Sequence, residues 1–384
     1  MRGAGALAGL ALLGAAPVPA PAGYLADARA LDAEIASTYA YLDRFGGTVP
    51  GSTALTAERE AVHDRDSLLH YAEDRLFALA DHHAITGRSF PDSWAVVPTY
   101  ADLWVVADPH GYRIDALREG SPAAVAGIVV GDRLVAVAGQ PIATAVAAFW
   151  APIGRPVAAD ADAFAARVLA AGRRDRPRDL TIAGRDGERR LTLASLYAAA
   201  HDEPPVTLTG APGRATIRLG NSLGDQATIA AFDAAMVQLP DRARLVLDLT
   251  DTPSGGNTSV ARAIMGWFVD RATGYQVHNL VGEERETGIG RQWIEQVLPR
   301  AGKRHHGPVE VRVGRWTGSM GEGLAIGMAA TGATVCGTAM AGLRGAVYDV
   351  KLPATGLVVK LPAERLATVT GMPREDYRPP ACHG

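Results

Sequence analysis

The feature that most constrains the fold is an apolar, strand-like run at residues 244–249, which leads into a glycine-rich loop. An apolar run of this length is typical of a strand buried on both faces, as the strands of parallel sheets are. The loop contains Gly255 and Gly256, and a helix is predicted to begin near Thr258. Strand, loop and helix in this order predict α/β organisation, with functional groups at the carboxyl ends of the strands.

A second unit of the same kind lies at residues 309–330. A short strand is followed by the turn Thr-Gly-Ser-Met-Gly-Glu at 317–322 and then by a helix rich in glycine and alanine. A serine at such a turn can present its hydroxyl as a nucleophile, while the first N–H groups of the helix face a developing oxyanion. A Gly-Ser pair also caps ordinary helices, so the turn alone leaves both interpretations of Ser319 open.

Residues 99–200 change to short strands separated by tight turns. Gly-Ser-Pro-Ala at 120–123, Ala-Gly at 126–127 and Gly-Asp-Arg-Leu at 131–134, with Gly139, resemble PDZ domains of the circularly permuted kind found in exported bacterial proteases. The resemblance implies that a polypeptide C-terminus binds as an added strand. The alternative is that the domain only positions the rest of the chain.

The first 22 residues have the pattern of a signal peptide. Arg2 precedes an apolar segment at 4–16, and Ala-Pro-Ala at 20–22 forms a small-x-small cleavage site. Three prolines argue against the alternative of a buried N-terminal helix. We therefore expect cleavage before Gly23 and a mature chain in the periplasm or outside the cell.

Charge and cysteine content give no support to several classes of partner. The net charge of −3 and the pI near 6.4 give no reason to expect nucleic acid or an anionic membrane. No segment beyond the N-terminus is apolar over the length that spans a bilayer. Cys336 and Cys382 either pair in an oxidising compartment or remain separate thiols. Their spacing predicts no metal site, and no pattern predicts an oligomeric state.

The two strand–loop–helix units, in this order and after the PDZ-like segment, resemble the tail-specific, or C-terminal-processing, serine peptidases. The similarity spans the mature chain and implies a multidomain α/β protein. Its parts would be an N-terminal helical region at 23–98, a PDZ-like β-rich domain at 99–200 and a crotonase-like α/β catalytic core at 206–384. The implied activity is that of a serine endopeptidase acting on polypeptides, without cofactor or metal.

The resemblance implies that Ser319 attacks the scissile carbonyl. It also implies an oxyanion hole formed by the N–H of Met320 and an N–H of Gly255 or Gly256. A loop with this role must bring bare backbone close to a substrate carbonyl, which side chains would obstruct. A tight turn before the helix is the alternative for the glycine pair.

A serine nucleophile also requires a base. Many relatives use a lysine in a turn that here reads Ala-Gly-Leu-Arg-Gly at 341–345, and Arg344 cannot release its proton. Lys351 lies further on, in a strand-like stretch. Another branch of the family, similar to the tricorn core protease, uses a histidine in an Asp-x-His pattern, which His83 matches at the end of a helix predicted at 57–80. His82 is the alternative base, and a pair of histidines that ends a surface helix is the alternative interpretation.

A carboxylate should orient the imidazole of the base. Relatives of the histidine branch carry a glutamate well downstream of the serine, and Glu375 lies in the corresponding C-terminal stretch. Glu322 competes for the same role, although its place in the first helical turn favours capping or loop support. Two other classes of function remain open: a catalytically inactive peptide- or ligand-binding protein of this fold, and a hydrolase of non-peptide esters or amides.

Overall fold

The computed structural model describes residues 21–198, 203–211, 213–253 and 255–382. The predicted signal peptide at 1–22 falls almost wholly outside these residues, so the targeting segment and its cleavage stay predictions. Within the described ranges, no helix is both long enough and apolar enough to cross a membrane.

The N-terminal region is helical. The single helix expected at 57–80 is wrong, because two helices separated by residues 61–64 lie there. Asp64 starts the second of them by accepting a hydrogen bond from the Ser67 N–H at 2.8 Å, a local capping signal. The elements are α1 (Pro21–Thr38), α2 (Thr53–Glu60), α3 (Arg65–Phe77) and the short strand β1 (Ile85–Thr86).

The PDZ-like region is built on one antiparallel sheet in the order β2-β3-β4-β6-β7, with β5 paired to β4. Two helices, Ile142–Trp150 and Ala161–Ala171, accompany the sheet. The elements are β2 (Leu103–Asp108), β3 (Gly111–Leu117), α4 (Pro122–Val125), β4 (Arg133–Val137), β5 (Gln140–Pro141), α5 (Ile142–Trp150), α6 (Ala161–Ala171), β6 (Arg178–Gly184) and β7 (Gly187–Leu193).

The remaining chain contains two larger sheets and a short strand pair. Its elements are β8 (Val206–Ala211), β9 (Arg214–Leu219), α7 (Ala227–Met236), β10 (Arg244–Asp248), β11 (Asp251–Thr252), α8 (Thr258–Met265), β12 (Thr273–Leu280), α9 (Val281–Thr287), β13 (Gln292–Val297), β14 (Val309–Val313), β15 (Trp316–Thr317), α10 (Met320–Ala330), β16 (Thr334–Gly337), β17 (Ala346–Lys351) and β18 (Val358–Ala367).

The first sheet has the order β16-β14-β10-β9-β8, and β10 is parallel to both of its neighbours. Leu245 and Leu247 on β10 are completely buried, which confirms the buried parallel strand expected from the sequence. The second sheet, β1-β18-β12-β13 with β17 on β18, is antiparallel and was not predicted as a unit. Strand β18 pairs with β1 and β12, which lie far from it in sequence, so local patterns do not reveal these pairings.

Strands β11 and β15 form a separate parallel pair, with Thr252 opposite Thr317. Each of these short strands leads into one of the two loops singled out by the sequence. The pairing therefore brings the glycine loop that follows β11 beside the turn that carries Ser319.

Two large hydrophobic cores divide the molecule. One combines the N-terminal helices with the PDZ-like region and reaches Leu352, Val359 and Leu361 near and on β18. The other fills the parallel sheet and its helices. A disulfide between Cys336 and Cys382 ties the C-terminal residues to β16. Closure of a loop with this 46-residue separation contributes about 4 kcal/mol in the chain-entropy description.

Candidate active site

Ser319 occupies the turn between β15 and α10 in a strained backbone conformation. Its φ of 52° and ψ of −114° are unusual for a residue with a side chain. The preceding Gly318 is required by space, since a Cβ there would lie 2.3 Å from the Pro253 carbonyl oxygen. The side chain of Ser319 is only half-buried, so its hydroxyl is accessible. Strain at an accessible serine is the geometry expected of a nucleophile turn.

His83 contacts the hydroxyl of Ser319 although 236 residues separate the two. The Nε2 atom of the ring lies 3.0 Å from Oγ of Ser319, and Nδ1 lies 2.6 Å from the backbone oxygen of Arg344. Because a carbonyl oxygen can only accept a hydrogen bond, Nδ1 carries the proton. Nε2 then carries a free lone pair, and the serine hydroxyl donates a hydrogen bond to it. This tautomer suits a general base.

Burial sets the charge of the imidazole. It lowers the pKa of His83 to about 4, and the backbone hydrogen bond to Arg344 only partly offsets this effect. The buried Arg374 guanidinium disfavours a second positive charge and lowers the pKa further. His83 is therefore neutral at physiological pH and can accept a proton.

Asp81 positions the backbone of His83 rather than its ring. One carboxylate oxygen accepts the His83 N–H at 2.9 Å, and the other accepts the Tyr39 hydroxyl at 2.7 Å. Asp81 is only 1% exposed, and it follows Ala80, whose φ is +44°. The backbone is therefore strained at two places around the site, at Ser319 and just before the histidine segment, at Ala80.

His82 points away from Ser319. Its Nδ1 lies 2.7 Å from the carbonyl oxygen of Val96, and its Nε2 accepts a hydrogen bond from Nε of Arg167 at 2.8 Å. The ring packs on Phe164, with 4.6 Å between ring centroids. Both nitrogens are engaged in the core, so the alternative of His82 as the base has no support from the geometry.

Glu375 does not contact the imidazole. The carboxylate expected at Nδ1 of His83 is replaced by the Arg344 carbonyl, and this corrects the predicted arrangement. Glu375 lies near Tyr41, since burial and then the Glu375 carboxylate raise the pKa of that tyrosine.

Glu322 supports the loops around the site. Its completely buried carboxylate accepts hydrogen bonds from the N–H groups of Ser319 at 2.9 Å, Gly342 at 2.9 Å and Leu343 at 3.1 Å. Burial raises its pKa to about 7, although Arg374 and the three N–H donors oppose the shift. In the structure, Glu322 therefore holds the Ser319 turn and the loop at 342–343 together, which is the supporting role that its sequence position favoured.

The groups predicted to form the oxyanion hole lie together. Met320 is the first residue of α10, where the N–H groups have no intrahelical acceptor. A Cβ at Gly256 would lie 2.3 Å from the Cβ of Met320, so the glycine loop packs directly on the residue after Ser319. Gly255 adopts a φ of +62°, which a glycine accommodates without strain.

The lysines are placed elsewhere. Lys351 is exposed at the end of β17, where its side chain lies over Gly356, and Lys360 donates a hydrogen bond to Asp349 at 2.6 Å. The turn at 341–345, for which the resemblance implied a lysine, contributes the backbone carbonyl of Arg344 to His83 instead. The side chain of Arg344 binds Asp160 at 2.8 Å.

Two contacts that the sequence did not predict hold the turn at 341–345 in place, one made by Arg374 and one by Gly345. Nη2 of Arg374 donates to the carbonyl oxygens of Leu343 and Gly345, at 2.7 and 2.9 Å. A Cβ at Gly345 would lie 2.2 Å from the carbonyl oxygen of Glu364, so the turn lies directly on β18. Neither contact has a signal in the sequence apart from the glycine itself.

A second buried histidine, His278 on β12, has different neighbours. Its Nδ1 lies 2.6 Å from Oε2 of Glu364, and its Nε2 lies 3.2 Å from Oε2 of Glu295. Trp293 stacks on the ring. Burial opposes the charged form, but the hydrogen bonds to Glu295 and Glu364 raise the pKa of His278 to about 9. Nothing in the sequence analysis singled out this cluster.

One edge of the PDZ-like sheet, strand β2, is covered by the chain itself. Helix α6 packs along the edge strand β2, and Nη1 of Arg167 donates to the carbonyl oxygen of Val105 at 3.2 Å. A peptide that added itself to β2 would have to displace this helix side chain. The geometry thus favours a positioning role for this edge.

Comparisons with known proteins agree with this architecture. A model of the PDZ domain matches residues 113–148. Mature CPAF in complex with lactacystin superimposes with a TM-score of 0.58 at 14% identity, covering 93% of each chain. The photosystem II D1 C-terminal processing protease gives a TM-score of 0.55 at 17% identity, covering 94% of this chain and 92% of that one. No match is found among curated proteins. The chain therefore has the fold of the C-terminal-processing proteases, with a PDZ domain in its middle segment.

Proposed function

We propose that this protein is an exported serine endopeptidase of the tail-specific family, with Ser319 as nucleophile and His83 as base. The observation that carries the proposal is the contact of 3.0 Å between His83 Nε2 and Ser319 Oγ, made by a ring whose other nitrogen is held by a carbonyl. A hydroxyl next to a neutral, oriented imidazole is the arrangement that acyl transfer requires.

In the acylation step, Oγ of Ser319 attacks the carbonyl carbon of the scissile peptide bond, and His83 Nε2 takes the hydroxyl proton. The negative charge that develops on the carbonyl oxygen is stabilised by the N–H of Met320 and an N–H of the Gly255–Gly256 loop. The imidazolium then gives its proton to the leaving nitrogen, the C–N bond breaks, and the amine product departs. The acyl group remains on Ser319 as an ester.

In the deacylation step, a water molecule replaces the amine. Its proton passes to His83 Nε2 while its oxygen attacks the ester carbon, and the same N–H groups stabilise the second oxyanion. Collapse returns the proton to Oγ of Ser319 and releases the carboxylate product. Throughout, the Arg344 carbonyl keeps Nδ1 protonated. The hydrogen bond between them becomes stronger when the ring becomes charged, because its donor is then an imidazolium.

The proposal includes polypeptide substrates and export. The PDZ domain and the peptidase fold of the solved relatives support a polypeptide substrate. The disulfide between Cys336 and Cys382 supports an oxidising compartment, where such bonds persist. Targeting by residues 1–22 and cleavage before Gly23 complete the proposed route to the periplasm or the medium.

The test is labelling of the purified protein with a fluorophosphonate probe, together with cleavage of an unstructured polypeptide. We expect labelling at Ser319 and cleavage products with the wild type, and neither with Ser319→Ala. Ser259→Ala, at an ordinary position on α8, is the matched control and should behave as the wild type. A wild-type protein that neither reacts with the probe nor cleaves any polypeptide would overturn the proposal in favour of a binding protein. Turnover of small esters without peptide cleavage would favour the non-peptide hydrolase.

A further inference from the structure

The side chain of Arg374 binds the turn that orients the base. Its Nη2 atom donates to the carbonyl oxygens of Leu343 and Gly345, at 2.7 and 2.9 Å. The carbonyl between these two belongs to Arg344 and accepts the hydrogen bond from Nδ1 of His83 at 2.6 Å. The guanidinium therefore fixes the backbone on both sides of the carbonyl that orients the imidazole.

The charge of Arg374 acts on both titratable groups of the site. Arg374 is only 3% exposed. After burial, which has the larger effect, its positive charge lowers the pKa of His83, whereas Asp81 acts in the opposite direction. Burial raises the pKa of Glu322 to about 7, and the guanidinium opposes this rise. Arg374 thus favours a neutral imidazole and a charged carboxylate, which are the two forms that the site uses.

A short C-terminal segment carries Arg374 to the turn. The segment follows β18 and ends at the disulfide that joins Cys382 to Cys336 on β16. Residues 378–382 contain neither helix nor strand and are mostly exposed. A backbone N–H of β16 also donates to a carbonyl oxygen of this stretch, at 2.8 Å. The disulfide is the covalent tie of the segment to the parallel sheet, and Cys382 is exposed to a reductant.

We propose that Arg374 is a positioning residue of the base and that the Cys336–Cys382 disulfide keeps it in place. The chain then reaches full peptidase activity only once the disulfide has formed. In a reducing compartment, where such bonds do not persist, the same chain is weakly active. The inference rests on the proposed function, because it concerns the regulation of the same site.

Reduction of the disulfide releases the segment. A thiolate of a dithiol attacks one sulfur of the bond, and the second thiolate of the reductant then resolves the mixed disulfide. The reductant ends as a disulfide, the S–S bond of the chain is broken, and Cys336 and Cys382 each carry a proton as thiols. No bond of the turn at 341–345 changes, so the effect that we expect on Ser319 passes through the position of Arg374.

The first test compares variants by the rate at which a fluorophosphonate labels Ser319. Arg374→Met removes the charge and both hydrogen bonds and should slow labelling by about 10- to 100-fold at neutral pH. Arg374→Lys keeps the charge and should recover part of the loss. Arg378→Met is the matched control and should behave as the wild type, because Arg378 is exposed and donates to carbonyl oxygens of its own segment.

The pH profile separates positioning from a merely structural role, which would lower the rate by one factor at every pH. Removal of the positive charge raises the pKa of both His83 and Glu322. The acid falls of the labelling rate should therefore move to higher pH in Arg374→Met, by about one unit. NMR titration of the His83 ring measures the same shift without turnover, and circular dichroism checks that the variant folds.

Unchanged labelling in Arg374→Met overturns the inference and leaves the proposed peptidase standing. A slowed variant with an unmoved pH profile also overturns it, since Arg374 is then structural only. If the His83 titration shifts but the wild type neither labels nor cleaves any polypeptide, the proposed function fails and the action of Arg374 on the imidazole stands.

The second test is treatment of the wild type with dithiothreitol. Labelling should slow by about tenfold and recover after reoxidation with oxidised glutathione. Cys382→Ala should be equally slow with and without dithiothreitol. Arg374→Met should be slowed no further by reduction, since both changes act along one path. Unchanged labelling of the fully reduced wild type overturns the coupling to the disulfide, as does a further tenfold loss in reduced Arg374→Met.

Discussion

His83 and His278 are both buried histidines, yet the groups around them give them opposite charges. His83 lies between a backbone carbonyl and a hydroxyl, and its pKa is lowered to about 4. His278 lies between two carboxylates, and its pKa is raised to about 9. Similar burial thus produces a neutral base in one place and, at neutral pH, a cation in the other.

The comparison shows what a histidine base needs in this fold. A carboxylate at each ring nitrogen stabilises imidazolium and removes the lone pair that would accept a proton. A carbonyl fixes the ring and its tautomer without that stabilisation, so the ring stays neutral. We therefore expect His83 to matter for turnover and His278 to matter for stability.

The largest expected effect is that of His83→Ala on peptide cleavage. Without a base, Ser319 keeps its proton, and kcat/KM should fall on the order of 10⁴-fold or more. The measurement is steady-state cleavage of a peptide, with circular dichroism as the check that the variant folds. Activity within tenfold of the wild type would remove His83 from the mechanism and erase the contrast with His278.

His278→Leu should act on folding instead. The change leaves the buried Glu364 without its cationic partner, so the free energy of unfolding should drop by about 3 kcal/mol. Urea unfolding measures this drop. The matched control is His306→Leu, because His306 pairs with Asp241 at the exposed surface and should contribute little. A stable His278→Leu protein with lost activity would show that the two histidines were assigned the wrong roles.

Glu322→Gln should lower kcat/KM by about 10- to 100-fold. The carboxylate now accepts hydrogen bonds from three backbone N–H groups, and the NH₂ group of the amide would face some of these donors instead. The loss of such hydrogen bonds costs about 1–3 kcal/mol. The measurement is peptide cleavage at neutral pH, and Glu286→Gln on the exposed face of α9 is the control. An unchanged rate would mean that the loops around Ser319 do not depend on this carboxylate.

The strand β10 and the two loops follow from apolar runs and glycines in the sequence. The contact between Ser319 and His83 was expected only from the resemblance to the histidine-using peptidases, because a serine in a turn and a pair of histidines at a helix end are also common without any such role. The orienting group of His83 was not predictable, because the acceptor is a backbone carbonyl, and every residue has one. The antiparallel sheet that supports Glu364 was missed for a related reason. Strand β18 pairs with β1 and β12, which lie far from it in sequence, and this pairing depends on tertiary packing rather than on local pattern.

The smallest effect is expected for Lys351→Ala and Lys360→Ala. Both lysines lie on the β17–β18 hairpin, and neither contacts Ser319 or His83. Their kcat/KM values for the peptide should match that of the wild type. Loss of activity in either variant would restore a lysine as the base and make His83 a structural residue like His278.

The most direct test of a neutral His83 base is the pH dependence of the rate at which a fluorophosphonate labels Ser319. Protonation of His83 removes the base, so the rate should fall as pH drops towards about 4 and stay level from neutral to alkaline pH. Burial raises the pKa of Glu322 to about 7, so protonation of this carboxyl adds a partial fall of the labelling rate near pH 7. This fall should be absent in Glu322→Gln. A rate that instead climbs steadily through the alkaline range would indicate a base with the pKa of a lysine and would contradict the account.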